Sequence, residues 1–130
     1  MRGKGLPQDL RLGNLQLRIM KVLWRLQQAT VADVHEAVSA EKLAYTTVAT
    51  MLRKMETRGL VEHEEVNRRF VYRAAVSEDR VTRSMATDLV DRLFDGSLAM
   101  AVSHLLESRD VSREELVQLE QLIRQRKRTP

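Results

Sequence analysis

The sequence has few or none of several residue types, and each shortage excludes some functions. Its 130 residues include no cysteine, which excludes a disulfide framework, thiolate metal ligation and a cysteine nucleophile. With 2 Pro, 5 Gly and 4% aromatic residues, neither long linkers nor a large β-sandwich core is expected. No segment approaches the roughly 18 apolar residues needed to cross a bilayer. We therefore expect a mainly helical, cytoplasmic protein without membrane insertion.

Motifs for catalysis or metal binding are also missing. The sequence contains no glycine-rich phosphate loop and no nucleophile motif. His35, His63 and His104 do not have metal-ligand spacing with each other or with carboxylates. The sequence therefore predicts no enzymatic activity, no metal and no cofactor.

Charge is unevenly distributed along the chain, although the net charge is only +4. Residues 1–75 have 13 Lys or Arg against 8 Asp or Glu, residues 76–123 have 5 against 10, and residues 124–130 add 4 cations. Chance clustering is the simpler explanation, because helical surfaces are often patchy. We favour two regions with different roles: a DNA-binding domain at 1–75 and a helical dimerisation region with a basic tail at 76–130.

The first region is predicted to contain three helices. Apolar residues between Leu12 and Leu26 recur at helical spacing and form two stripes, which is typical of a central helix. Thr30 and Asp33 form a capping-box variant at the start of a short second helix. After a turn through residues 39–43, a third helix is expected at 44–58, ended by Gly59 in the left-handed region.

A β-hairpin is predicted to follow the third helix. Residues 60–66 and 70–73 are β-prone, and Asn67, Arg68 and Arg69 form the turn between them. The order of three helices and a hairpin is that of a winged helix-turn-helix. The arginines at the tip of this wing are placed to contact phosphates.

The third helix has two chemically different faces. Ala44, Val48, Met51, Leu52 and Met55 lie on one face, whereas the opposite face has hydroxyls and cations but no acid. Threonine lowers helix propensity, so three threonines on a face that only meets solvent would be unfavourable without a function. Hydroxyls and cations on one face suit binding in a DNA groove. The predicted DNA-binding residues are Tyr45, Thr46, Thr47, Thr50, Arg53, Lys54, Arg68 and Arg69. The alternative interpretation is a winged-helix module whose third helix binds a partner protein.

Three amphipathic helices are predicted in the second region, with Ser77, Ser97 and Ser112 as N-caps. About 50 residues can hardly bury all their apolar positions within one chain, so we expect half of a dimer interface. Its predicted members are Leu89, Leu93, Phe94, Leu98, Val102, Leu105, Leu116, Leu119 and Ile123. The cations at 124–128 are interpreted as a frayed, solubilising tail, or alternatively as a source of non-specific attraction to DNA.

Several motifs in this order resemble the penicillinase-repressor family of bacterial transcriptional regulators. The similarity runs from about Leu10 to Ile123 and includes Arg58-Gly59-Leu60, Phe70-Val71-Tyr72 and Phe94-Asp95-Gly96-Ser97. Its specific signal is the combination of Leu23-Trp24 with Ala44-Tyr45-Thr46-Thr47-Val48 in this order. The resemblance implies a homodimeric repressor that binds a dyad-symmetric double-stranded operator through its winged-helix domains.

The resemblance also implies how repression could end. In antibiotic-responsive members, which control β-lactam-responsive genes, a sensor-controlled protease cleaves an Asn-Phe bond in the dimerisation region. That position corresponds to Ala101 and Val102 here, in a stretch longer than in those members. Copper-responsive members use C-terminal cysteine ligands, which this chain lacks.

Overall fold

The computed structural model describes residues 10–38 and 42–129. Contacts divide the chain into two compact units, the first ending at Thr87 and the second beginning at Asp88. The elements in chain order are α1 (Asn14–Leu26), β1 (Ala29–Thr30), α2 (Val31–Ala37), α3 (Tyr45–Thr57), β2 (Val61–Val66), β3 (Arg69–Ala74), α4 (Glu78–Phe94), α5 (Leu98–Ser108) and α6 (Arg113–Arg128). The mainly helical winged-helix order predicted from the sequence is confirmed.

The core of the first unit is built by the three helices of the winged helix and the sheet. Its fully buried side chains come from each of these elements: Ile19, Met20, Leu23, Val34, Val48, Leu52, Met55, Val61 and Tyr72. Leu26, the last member of the predicted apolar stripe, is instead exposed. It lies in the final turn of α1, directly before Gln27 turns the chain at φ 73°.

Local sequence signals set the ends of α2 and α3 as predicted. Thr30 Oγ1 accepts a hydrogen bond from the Asp33 amide (3.1 Å), and Asp33 Oδ2 accepts one from the Thr30 amide (3.0 Å). At the end of α3, Gly59 has φ 82°, and the Leu60 amide donates to the Met55 carbonyl at 3.0 Å. This Schellman arrangement satisfies carbonyls at the helix end. Residues 39–41 of the predicted turn before α3 lie outside the described residues.

The sheet is antiparallel, with strand order β1-β3-β2. The sequence did not predict β1, because two residues are too short to show an alternating pattern. The prediction of a three-residue hairpin turn was also wrong, since Arg69 pairs with Val66 as the first residue of β3. The turn is Asn67-Arg68, with φ of 51° and 66°, which matches the twist of a two-residue hairpin.

Residues after the hairpin complete the first unit. Val76 and Val81 are buried in its core, and Met85 packs against it. Trp24 Nε1 donates a hydrogen bond to the Val76 carbonyl (2.9 Å), which fixes the chain before α4. The first turns of α4 therefore belong to this unit. The functional division at residue 75 stays a prediction.

In the second unit, α5 and α6 begin at the predicted caps. Ser97 Oγ accepts from the Met100 amide (3.1 Å), and Ser112 Oγ accepts from the Glu115 amide (3.0 Å). The prediction of a frayed tail at 124–128 was wrong, because α6 continues to Arg128. Glutamine, arginine and lysine favour helix, and cations near a helix C-terminus complement its dipole. Within residues 10–38 and 42–129, no helix is both long and apolar enough to cross a membrane.

Candidate nucleic-acid interface

One side of α3 anchors the helix and leaves the other side open to solvent. Val48, Leu52 and Met55 are completely buried, whereas Ala44, placed with them by the sequence, is the exposed N-cap residue. On the opposite side Thr46, Thr47, Arg53, Lys54 and Thr57 are exposed, and Thr50 is half-buried. We call this side the hydroxyl face. It carries cations and hydroxyls without an acid, so its chemistry complements phosphates and base edges.

Hydrogen bonds on the hydroxyl face order some of its side chains. Arg53 Nη2 donates to Thr50 Oγ1 at 3.2 Å, which lays the guanidinium along the helix. The Thr57 hydroxyl donates to the Arg53 carbonyl, also at 3.2 Å, and is therefore satisfied within α3. Thr46, Thr47, Thr50 and Lys54 line one shallow depression together with Met51. The structure thus brings the predicted residues of α3 other than Tyr45 together on one surface.

The C-terminal end of α3 is tied to the start of α1. Arg58 donates from Nη1 to Gln16 Oε1 (3.3 Å) and from Nη2 to the Arg11 carbonyl (3.0 Å). The same Gln16 oxygen accepts from the Gly13 amide (3.0 Å). Arg58 is therefore a structural cation that orients α3, a role that sequence spacing did not indicate because its partners are over 40 residues away.

The wing, which comprises β2, β3 and their turn, presents Arg68 and Arg69 to solvent. Arg68 holds φ 66°, a conformation that costs a non-glycine residue about 1 kcal/mol or more. Strain of this kind is often retained at functional sites. Nearer the base of the wing, Arg73 pairs with Glu62 (2.9 Å) and Glu64 (3.5 Å). The cations available to a ligand are therefore concentrated at the tip.

A hydrogen-bonding contact to a carboxylate and a cluster of tilted rings connect the wing to α3. His63 Nδ1 lies 2.7 Å from Glu56 Oε1, and the His63 ring centroid lies 4.4 Å from that of Phe70 and 5.2 Å from that of Tyr72. Burial raises the pKa of the Tyr72 phenol above its usual value, and the nearby Glu56 carboxylate raises it further, against a smaller opposing effect of Arg53. No role was predicted for His63, but its contacts hold the wing beside α3.

Tyr45 occupies the boundary between the wing and α3. It is half-exposed, and its ring meets the edge of His35 at a centroid distance of 5.9 Å. His35 Nε2 in turn lies 2.7 Å from the Leu43 carbonyl, which fixes the segment entering α3. Tyr45, Arg68 and Arg69 line one groove with Phe70. Three predicted DNA-binding residues therefore meet in this groove, together with Phe70, which was not among the predicted DNA-binding residues.

In the second unit, most of the predicted dimerisation residues are exposed. Among them Leu93 and Leu98 are 69% and 67% exposed, and the other exposed members are Leu89, Val102, Leu105, Leu116 and Ile123. Phe94 and Leu119 are half-buried, and the Phe94 ring lies 5.4 Å from that of His104. A row of exposed leucines is unusual for the surface of a monomer. Ala101, the first residue of the predicted cleavage position, is buried within α5.

Comparisons with known proteins place most of this chain in one family. The Penicillinase repressor family profile matches residues 12–125. The transcriptional regulator BlaI of Mycobacterium tuberculosis is 36% identical over 100 residues, which cover 75% of this chain and 72% of that protein. The penicillinase repressor of Bacillus licheniformis is 26% identical over 125 residues, covering 95% of each chain.

A solved structure, the solution structure of the DNA-binding domain of the repressor BlaI, covers 58% of this chain and 90% of its own, with 27% identity and a TM-score of 0.49. The family match extends through both units and includes α3, the wing and nearly all of α6. The chain therefore belongs to the penicillinase repressor family of transcriptional regulators.

Proposed function

We propose that this protein is a dimeric repressor that binds a dyad-symmetric operator through α3 and the wing. The observation that carries the proposal is the hydroxyl face of α3, whose cations and threonines are exposed while the opposite side is locked into the core. Membership in a family of DNA-binding repressors supports the same function. The proposal combines a sequence-reading surface with a separate dimerising region.

Within the proposed complex, α3 enters the major groove. Thr46, Thr47, Thr50 and Arg53 face base edges, and the threonine methyl groups can contact thymine methyls. Lys54 and the wing residues Arg68 and Arg69 neutralise backbone phosphates, which gives affinity without sequence preference. Tyr45 lies where the base contacts and the backbone contacts meet.

We assign dimerisation to the exposed apolar residues of the second unit. The occupant proposed for this surface is a second copy of the chain, because covering Leu93, Leu98 and their neighbours removes a large apolar area from water. A twofold dimer would place two α3 helices on half-sites separated by whole helical turns of about 10 bp each. Joining two weak DNA-binding modules raises the effective concentration of the second to about the millimolar range.

Release of the operator is proposed to act through the second unit as well. Ala101 is buried in α5, and its amide donates to the Ser97 carbonyl at 3.2 Å. A sensor-controlled protease acting at Ala101-Val102 would need α5 to open locally before it could cut. Cleavage there would separate α6 from the DNA-binding unit and weaken the dimer. In this proposal, the regulated genes are β-lactam-responsive.

The roles of α3 and the wing can be distinguished by two variants. Arg53→Ala should weaken binding to the operator about tenfold while leaving non-specific binding nearly unchanged, as expected for a base contact worth about 1–3 kcal/mol. Arg68→Asn keeps a residue that tolerates positive φ, and it should weaken binding to every sequence. Its log–log salt slope should fall by about 0.9, the value for one lost phosphate contact. Fluorescence anisotropy on selected genomic fragments at several salt concentrations measures both effects.

Arg25→Ala is the matched control, because Arg25 is an exposed cation of α1 outside the proposed surface. It should leave both the affinity and the salt slope unchanged. Equal, salt-independent binding by the Arg53 and Arg68 variants would refute the two roles. A chain that binds no duplex even at low salt would instead favour the protein-interaction alternative.

A further inference from the structure

A groove of about 400 Å³ lies between the wing, the start of α2 and the first turn of α3. Its lining combines the aromatic rings of Tyr45 and Phe70 with the cations Arg68 and Arg69, and Val31 is part of the opposite wall. The lining residues include no acid. The groove therefore offers positive charge and apolar ring surface at the same place.

The two aromatic rings in this groove are unusually exposed for their type. Tyr45 is 50% exposed and Phe70 is 48% exposed, whereas Tyr72, two positions further along β3, is 2% exposed. Exposed aromatic surface surrounded by polar groups commonly marks a binding site. The groove is thus suited to a ligand that presents both anionic and apolar groups.

The groove lies beside the N-terminal end of the hydroxyl face, because Tyr45 in its lining directly precedes Thr46. At about 100° per residue, Tyr45 lies on the flank of α3 between its buried side and Arg53. Glu56 projects from the same flank and contacts His63 of the wing at 2.7 Å. A ligand that covers Thr46, at the start of the hydroxyl face, therefore lies next to the groove.

We propose that this groove holds the sugar–phosphate backbone of the DNA strand bordering the major groove, with Phe70 and Tyr45 packed against deoxyribose. This inference rests on the proposed DNA-binding function and adds Phe70 to the DNA-contacting residues. Every nucleotide of the backbone presents an anionic phosphate and an apolar sugar surface. The cations of the groove complement the phosphates, and its aromatic rings complement the sugars. Arg68 and Arg69 contact phosphates on either side of a sugar that Phe70 covers.

Contacts inside the protein already hold both rings in place. The Phe70 ring lies 4.4 Å from that of His63, which is fixed by Glu56, and the Tyr45 ring lies 5.9 Å from that of His35. Side chains fixed before binding lose less rotational entropy when the complex forms. The aromatic contact should therefore contribute to affinity without a large ordering cost.

The test compares Phe70→Ala with Val66→Ala in the full-length chain. Val66 is a similarly exposed apolar residue of the wing, but it lies outside the groove lining. Phe70→Ala should weaken binding about tenfold to operator and non-operator duplexes alike, because a sugar contact does not distinguish sequences. Val66→Ala should remain within about twofold of the wild-type affinity.

Hydroxyl-radical footprinting reports the contact directly, because the radical attacks deoxyribose hydrogens. Wild-type protein should protect a few sugars on one strand beside each half-site, and Phe70→Ala should lose that protection while keeping protection of the sugars within the half-site. Phe70→Leu, which retains apolar volume, covers the case in which the alanine variant unfolds, and it should give partial sugar protection.

Unchanged sugar protection and affinity in both Phe70 variants would overturn the inference. Equal losses for the Val66 variant would also overturn it, because the effect would then belong to the wing as a whole. If wild-type protein produces no footprint on any duplex, the proposed function itself fails. If it produces one that does not depend on Phe70, only the assignment of the groove fails.

Discussion

Leucine has opposite environments in the two units of this protein. In the first unit Leu23, Leu52 and Leu60 are almost completely buried, whereas Leu93, Leu98 and Leu122 in the second unit are largely exposed. Both units contain helices capped by Ser or Thr, namely α2 in the first unit and α5 and α6 in the second. The difference therefore lies in the available partners: the first unit supplies a sheet and crossing helices to cover its apolar stripes. For the second unit, the proposed cover is a second copy of the chain.

This contrast matches the proposed division of labour. A DNA-reading surface must be held rigidly, because base contacts depend on the orientation of α3, and the closed core provides that rigidity. Among the described residues of the second unit, Ala101 alone is fully buried. A region that is stable only when paired can be disrupted without altering the reading surface, which is a suitable arrangement for releasing an operator.

The largest effect should follow from opening the core of the first unit. Leu52 is completely buried on α3, so Leu52→Ala should lower the free energy of unfolding by about 3 kcal/mol, through lost burial and the remaining cavity. Leu26→Ala, at an exposed leucine of α1, should cost less than about 0.5 kcal/mol. Chemical denaturation followed by circular dichroism measures both changes. Similar losses for the two variants would mean that the first unit is not closed as described.

A somewhat smaller effect is expected from charging the exposed leucines of the second unit. In an isolated chain, Leu93→Asp combined with Leu98→Asp should be tolerated, because both side chains face water. In a dimer the charges would be buried, so sedimentation should detect monomers, and operator affinity should fall at least about a hundredfold. Leu26→Asp is the matched control in the first unit and should remain dimeric. A double variant that stays dimeric and keeps its affinity would place the interface elsewhere.

Local patterns were enough to predict much of the first unit. Thr30 and Asp33 form the expected capping box, Gly59 ends α3, and the hydrophobic spacing correctly places Val48, Leu52 and Met55 on the buried side. These features depend on residues a few positions apart, whose interactions follow directly from helix geometry. The candidate DNA-contacting residues of α3 were predictable for the same reason.

The features that sequence patterns missed depend on distant residues. The contacts of Arg58 with Gln16 and the Arg11 carbonyl span more than 40 positions, and β1 is recognisable only through its pairing with β3. The groove beside Tyr45 likewise requires α2, α3 and the wing to come together. Periodicity indicates which face of an element is buried but does not identify the surface that covers it.

The smallest predicted effect compares equivalent caps in the two units. Thr30 Oγ1 caps α2 through the Asp33 amide, and Ser112 Oγ caps α6 through the Glu115 amide, at 3.1 and 3.0 Å. Substitution by alanine at either position should lower the stability of the capped helix by about 1 kcal/mol. For Thr30→Ala, hydrogen exchange in α2 should increase by the same factor at every protein concentration.

Ser112→Ala should behave differently, because α6 is proposed to be stabilised by its partner copy. The substitution should raise the dimer dissociation constant about fivefold or more. Hydrogen exchange in α6 should be faster than in the wild type, and this difference should become smaller as the protein concentration rises. Hydrogen exchange at two concentrations, combined with sedimentation, measures both quantities. If the Ser112 variant shows no dependence on concentration, the second unit is as self-sufficient as the first, and exposure of its leucines must have a cause other than dimerisation.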